Sequence, residues 1–112
     1  MTLNICFVYC AKFEIETAFS RVYEDVKRIN SGESDLEEGE AIEHRIEKTF
    51  VRSLYVKSQP DILIRTGSDT RLSNFLVMQS TYSELYFLKE KWPELGLLSL
   101  VKIILYYNKK YD

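Results

Sequence analysis

Hydrophobic and polar positions alternate along this chain in blocks whose periods predict a succession of strands and helices. Residues 2–9 form an almost unbroken apolar run, with Leu3, Ile5, Cys6, Phe7, Val8 and Tyr9. The run is too short for a helix and predicts a strand buried on both faces, as in a parallel sheet. Over residues 14–29, Ile15, Ala18, Phe19, Val22, Tyr23, Val26 and Ile29 recur at three- and four-residue intervals with charges between them, the signature of an amphipathic helix. Residues 30–40 are polar and acidic and contain Gly32 and Gly39. Ser34 followed by Glu37 offers a capping box for a helix over residues 36–50. Gln59-Pro60 marks the next break, and residues 61–64 form a second short buried strand. A loop over 65–71 follows, then a helical stretch over 72–79 with Ser73 placed to cap it. Residues 84–87 predict a third strand. The last block, 95–107, carries Leu97, Leu98, Leu100, Val101, Ile103, Ile104 and Leu105. It is apolar on more than one face, so it predicts a helix buried in the domain or against another subunit.

Strands alternating with helices predict an α/β fold, an open and mostly parallel sheet flanked by helices. Three strands make a thin sheet, and a buried strand so near the start implies a piece of a larger fold. At 112 residues the chain suffices for one small domain. Its formal net charge of -2, with scattered Lys and Arg, gives no footprint for a nucleic acid backbone. Cys6 and Cys10 lack the spacing of a Cys-x-x-Cys metal or redox motif and are expected to be reduced core thiols. The acidic run 33–40 predicts a solvated face, and His44 an exposed histidine. With no signal peptide pattern and no apolar stretch of membrane-spanning length, the expected location is cytoplasmic or peripheral.

The candidate chemistry lies between residues 60 and 87. In an open parallel sheet ligands collect at the carboxyl ends of strands, and Arg65 follows the strand 61–64. Arg65 and Arg71 offer planar forks of donors suited to phosphate oxygens, and Gly67 lets the backbone turn toward an anion. Ser73 adds a hydroxyl, and the helix it would open adds backbone N–H groups. Glu84 is the candidate ligand for a Mg²⁺ ion accompanying a diphosphate. On spacing alone, surface arginines in ordinary ion pairs remain the alternative.

The wording of this stretch goes further. Ile-Arg-Thr-Gly-Ser-Asp-Thr-Arg-Leu-Ser-Asn-Phe from Ile64, continuing through Tyr-Ser-Glu-Leu-Tyr-Phe to Phe87, resembles the C-terminal signature of the cis-prenyltransferases, the undecaprenyl and dehydrodolichyl diphosphate synthases. Trp92-Pro93-Glu94 and the segment 3–9 resemble flanking features of the same family. The resemblance implies that residues 1–112 are the C-terminal part of a single cis-prenyltransferase domain whose N-terminal half is missing. It implies that Arg65, Arg71 and Ser73 bind the diphosphate of isopentenyl diphosphate and that Glu84 helps hold Mg²⁺. The implied reaction condenses isopentenyl diphosphate onto an allylic diphosphate, giving long-chain cis-polyprenyl (dehydrodolichyl) diphosphate for dolichol synthesis and protein glycosylation. The expected location is cytoplasmic, with the helix over 95–107 as the candidate for peripheral contact with the endoplasmic reticulum membrane.

The family's aspartate-glycine-asparagine-arginine motif, which binds the allylic diphosphate and supplies the key aspartate, has no counterpart here, so no catalytic residue is expected in this chain. Gly67-Ser68-Asp69 and Cys10-Ala11-Lys12 depart from the family's usual residues at those places. The end of the chain lacks the arginine-any-glycine tail of homodimeric members. The expected assembly is a homodimer or a heterodimer with an accessory subunit that supplies the tail. The competing expectation is a noncatalytic, pseudoenzyme-like subunit or inactive fragment that keeps the diphosphate pocket and dimer surface.

Overall fold

A computed structural model describes all residues, Met1–Asp112. The chain forms two compact units, Met1–Lys57 with Asn74–Leu76, and Ser58–Ser73 with Val77–Asp112.

The first unit is built on α1 (Ala11–Asn30) and α2 (Ile42–Ser53). α1 packs against α2 and buries Ala11, Ala18 and Val22. Phe19 and Phe50 add a tilted aromatic pair with centroids 5.1 Å apart. Arg45 on α2 grips Asp25 on α1 with both prongs, Nε at 2.8 Å and Nη2 at 3.1 Å, and Thr49 Oγ1 donates to the same carboxylate at 2.7 Å. These bonds from Arg45 first, then Thr49, hold the Asp25 carboxyl below the usual carboxylate range. The predicted helix over 14–29 is present and begins a turn earlier.

Three expectations for this unit need correction. Residues 2–9 form no strand, and Leu3, Ile5, Phe7 and Val8 are exposed. An apolar run becomes a strand only where a neighbour accepts its backbone hydrogen bonds, and none in this chain does. The second helix starts at Ile42 rather than at residue 36, with Ala41 at its N-cap. The anticipated cap at Ser34 does not form; Glu37 N–H instead donates to the Glu40 carboxylate at 3.1 Å, closing a turn before the helix. Cys6 and Cys10 are free thiols as expected, but both are only half-buried. His44 is exposed.

The second unit holds β1 (Ile62–Arg65) and β2 (Glu84–Phe87), paired parallel with Ile62 opposite Glu84 and Arg65 opposite Phe87. Leu63, on β1, is buried. The sheet has two strands rather than three. After β2 come a single 3₁₀ turn at Trp92–Glu94 and α3 (Leu97–Tyr111). Ser99 Oγ donates to the Glu90 carboxylate at 2.9 Å near the start of α3, and Tyr106 meets Tyr86 edge to face. Of the apolar residues on α3 only Ile103 is buried. The expectation of a helix buried on more than one face therefore fails within this chain, since Leu97, Leu98, Val101, Ile104 and Leu105 meet solvent.

The crossover between the parallel strands contains no helix, against the expectation for 72–79. Ser73, Asn74 and Leu76 have φ of 50°, 60° and 44°. Left-handed residues cannot propagate a right-handed helix. The helix N-terminus expected to face an anion is thus absent.

Candidate functional site

β1 delivers Arg65 at its carboxyl end, and the loop beyond it is fixed by backbone pairing rather than by secondary structure. Leu88 N–H donates to Arg65 C=O at 2.8 Å, Ser68 N–H to Leu88 C=O at 3.0 Å, and Gly67 N–H to Glu90 C=O at 2.9 Å. The loop therefore runs beside the segment leaving β2. Gly67 has a φ of 96°, in the left-handed region that a side chain disfavours. Nothing lies within 4 Å of the place its Cβ would occupy, so backbone conformation, not crowding, is what requires glycine.

Arg65 organises the site. Its Nη1 donates to the Arg71 carbonyl and, at 2.7 Å, to Ser73 Oγ, while Nη2 reaches the Asp69 carboxylate at 2.9 Å. Arg71 Nη2 lies 3.8 Å from the same Asp69 oxygen. The structure thus brings Arg65, Arg71 and Ser73 together. The two guanidinium groups share one carboxylate oxygen, as two arginines share a phosphate oxygen. Exposure separates their roles: the Arg65 side chain is 25% exposed and Arg71 74% exposed. Arg65 is spent mostly on shaping the loop, whereas Arg71 has donors free for a ligand.

Asp69 is the member that the sequence reading did not single out. Its signal was available, an acid four residues after Arg65 and two before Arg71. At 50% exposure it is an open ion-pair partner of both arginines rather than a buried one.

Glu84 is not part of this cluster. It opens β2 opposite Ile62, whereas Arg65 lies opposite Phe87. Three residues of parallel register place the two about 10 Å apart along the strands. Glu84 Oε1 instead accepts from Lys110 Nζ at 2.6 Å and Tyr111 Oη at 2.5 Å, both in the last turn of α3. Those bonds, from Lys110 first, hold its carboxyl below the usual range and push Lys110 and Tyr111 up. No group of three His, Cys, Asp or Glu side chains gathers to hold a metal ion. The Glu84 carboxylate, neutralised by an ammonium of its own chain, does not by itself fit a divalent cation.

Comparison with known proteins agrees with the fold and with the wording of the β1 loop. A family model described as undecaprenyl diphosphate synthase, Prenyltransf, matches residues 1–112. The chain is 39% identical over 112 residues to an isoprenyl transferase of Thermotoga maritima, covering 98% of this chain and 43% of that protein. It is 39% identical over 123 residues to the dehydrodolichyl diphosphate synthase CPT3 of Solanum lycopersicum, covering 97% of this chain and 42% of that one. The structure of a probable undecaprenyl diphosphate synthase from Campylobacter jejuni superposes with a TM-score of 0.60 at 28% identity, over 89% of this chain and 40% of that one. The chain spans less than half the length of these relatives, and its α/β arrangement is a partial cis-prenyltransferase fold. Family model, relatives and fold agree that the chain belongs to the prenyltransferase family of the undecaprenyl diphosphate synthases.

Proposed function

We propose that residues 1–112 are the diphosphate-binding C-terminal part of one cis-prenyltransferase domain, and that their ligand is isopentenyl diphosphate. The observation that carries this reading is the cluster around Arg65, which meets Ser73 Oγ with one prong and shares the Asp69 carboxylate with Arg71 through the other. A diphosphate entering there displaces Asp69, takes the free donors of Arg71, and keeps Arg65 as the fixed side of the clamp. Ser73 Oγ, already accepting from Arg65, turns its own proton toward a phosphate oxygen. These contacts fix the isopentenyl group by its polar end and leave its double bond to attack an allylic diphosphate. No group able to take the proton lost in that condensation is assigned in this chain. The reaction therefore requires the N-terminal part of the domain.

The product is taken to be a long-chain cis-polyprenyl diphosphate of the dehydrodolichyl type, a reading supported by the likeness to the tomato enzyme. The undecaprenyl diphosphate synthase named by the family model and by the Campylobacter jejuni structure supports an undecaprenyl product as the second possibility. The magnesium ion that the family resemblance implies would find one oxygen at Glu84 only after Lys110 and Tyr111 withdraw. A dimer, with a like or an accessory subunit, is the assembly in which an acid from one subunit could meet the arginines of another. The endoplasmic reticulum surface is the proposed site of action. No helix of the chain is long and apolar enough to cross a membrane.

The test is calorimetric titration of isopentenyl diphosphate into the wild-type chain and into Arg71→Ala. Loss of binding in the variant is expected, and equal affinity would overturn the assignment. Adding the N-terminal half in trans and analysing the products by chain length separates a catalytic part from a noncatalytic, pseudoenzyme-like one.

A further inference from the structure

Within the second unit, Glu84 and Tyr86 lie two residues apart on β2, so their side chains share one face of the strand. α3 runs over that face. Tyr106 meets the Tyr86 ring edge to face with centroids 6.3 Å apart, and one turn later Lys110 and Tyr111 meet Glu84. Later residues of the helix meet earlier residues of the strand, so the end of α3 is carried back to the start of β2.

Both donors from the helix end on the same atom: Glu84 Oε1 accepts from Lys110 Nζ at 2.6 Å and from Tyr111 Oη at 2.5 Å. Consecutive residues of an α-helix project about 100° apart, so both reach one atom only where it sits between them, over the last turn. The two partners are themselves held. The Tyr107 ring lies against the Tyr111 ring with centroids 4.7 Å apart, and the Lys110 ammonium stands 5.5 Å from the Tyr111 ring centre. The Glu84 side chain keeps only 25% of its surface exposed. A lone surface ion pair opens readily, whereas freeing this carboxylate requires ammonium and phenol to part from it together.

A divalent cation of the magnesium type takes a carboxylate oxygen at about 2.1 Å and keeps a full set of ligands around itself. At Oε1 it would displace two donors and stand beside the Lys110 ammonium, a like charge at short range. We propose that Lys110 and Tyr111 form an intrachain latch on Glu84, one that closes this carboxylate to divalent cations and fastens the last turn of α3 to β2. The acid that the family resemblance marks for magnesium is supplied, in this chain, with a cation of its own. The inference concerns Glu84 alone and stands apart from the diphosphate reading of Arg65, Arg71 and Ser73.

The experiment is a titration of Mn²⁺ alone, a paramagnetic ion that shares magnesium's preference for oxygen ligands, into the isotope-labelled full chain. Broadening of the backbone amide signals of residues 84–86 reports binding at that carboxylate. The proteins are wild type, Lys110→Met with Tyr111→Phe, and that pair combined with Glu84→Gln. Broadening at Glu84 is expected at about tenfold lower Mn²⁺ in the latch variant than in wild type, and it should vanish when Glu84→Gln is added. Equal midpoints in wild type and the latch variant overturn the latch, and so does a latch variant in which Glu84 still draws no Mn²⁺. Amide hydrogen exchange reads the other half of the proposal. With Glu84→Gln alone, residues 107–111 should exchange about threefold faster, and an unchanged rate would show that Glu84 does not fasten α3.

Discussion

Two carboxylates, one in each unit, show opposite uses of the same chemical group. Glu14 is fully buried and its oxygens are satisfied by a phenol and two backbone amides. Asp69 is half exposed and balanced by two guanidinium groups that reach it from an open loop. The first cannot leave without stranding its partners, so it fixes structure. The second is held by contacts that water and salt weaken. Burial thus separates an acid locked by directed bonds from one held by screened charge.

The comparison breaks most visibly at Glu14. Glu14→Ala leaves the Tyr55 and Val56 N–H groups buried without acceptors, and a loss of about 3 kcal/mol in unfolding free energy is expected by urea titration. A loss too small to detect would mean that water replaces the carboxylate. Next in size, Arg71→Ala should weaken isopentenyl diphosphate binding by on the order of 2 kcal/mol, roughly thirtyfold, while leaving the denaturation midpoint in place. Asp69→Asn sharpens the contrast in the other direction. Removing the internal anion should tighten diphosphate binding severalfold with little change in stability, and weaker binding would show Asp69 to be a shaping residue like Glu14.

The smallest effects concern pH. Asp25 and Glu84 are both held below the usual carboxylate range, so their contribution is present above about pH 4 and fades as pH falls through their folded values. Asp25→Asn should flatten the acid side of the stability profile, measured as midpoint against pH. The Tyr9 phenol is pushed up, by burial first and then by Glu14. Its contribution is full below about pH 10 and is lost as pH rises toward the folded value. Tyr9→Phe should remove that alkaline dependence, and an unchanged profile would show that other groups set it.

The sequence was most readable where the structure is locally determined. The helical period of residues 14–29 survives as α1, and residues 84–87 are β2. The arginine loop is brought together because its spacing, its glycine and its place after a strand follow from local rules. What failed depended on partners or rare backbone states. Residues 2–9 have the composition of a strand but lack an edge to join, and α3 has apolar faces that this chain does not cover. The left-handed turn at Ser73 overrode a plausible capping pattern, although Asn74 is a residue type that tolerates that conformation. Glu84 followed Ser73 closely enough in sequence to suggest one site, yet parallel register carries it to the other end of the strands.

The apolar segment 3–9, exposed at Leu3, Ile5, Phe7 and Val8, also bears on how the protein behaves outside a folded assembly. Leu-Asn-Ile-Cys-Phe-Val-Tyr is seven residues without charge or proline, and the first charged side chain of the chain is Lys12. Such a window, with Leu3, Ile5, Phe7 and Val8 exposed, is a template for stacking with copies of itself once it extends. Expressed alone, the chain should enter inclusion bodies rich in cross-strand structure, and Ile5→Lys should raise its soluble yield by acting as a gatekeeper. Protein quality control would meet the same sticky tract, so the lifetime of this chain in a cell depends on how soon that tract is covered.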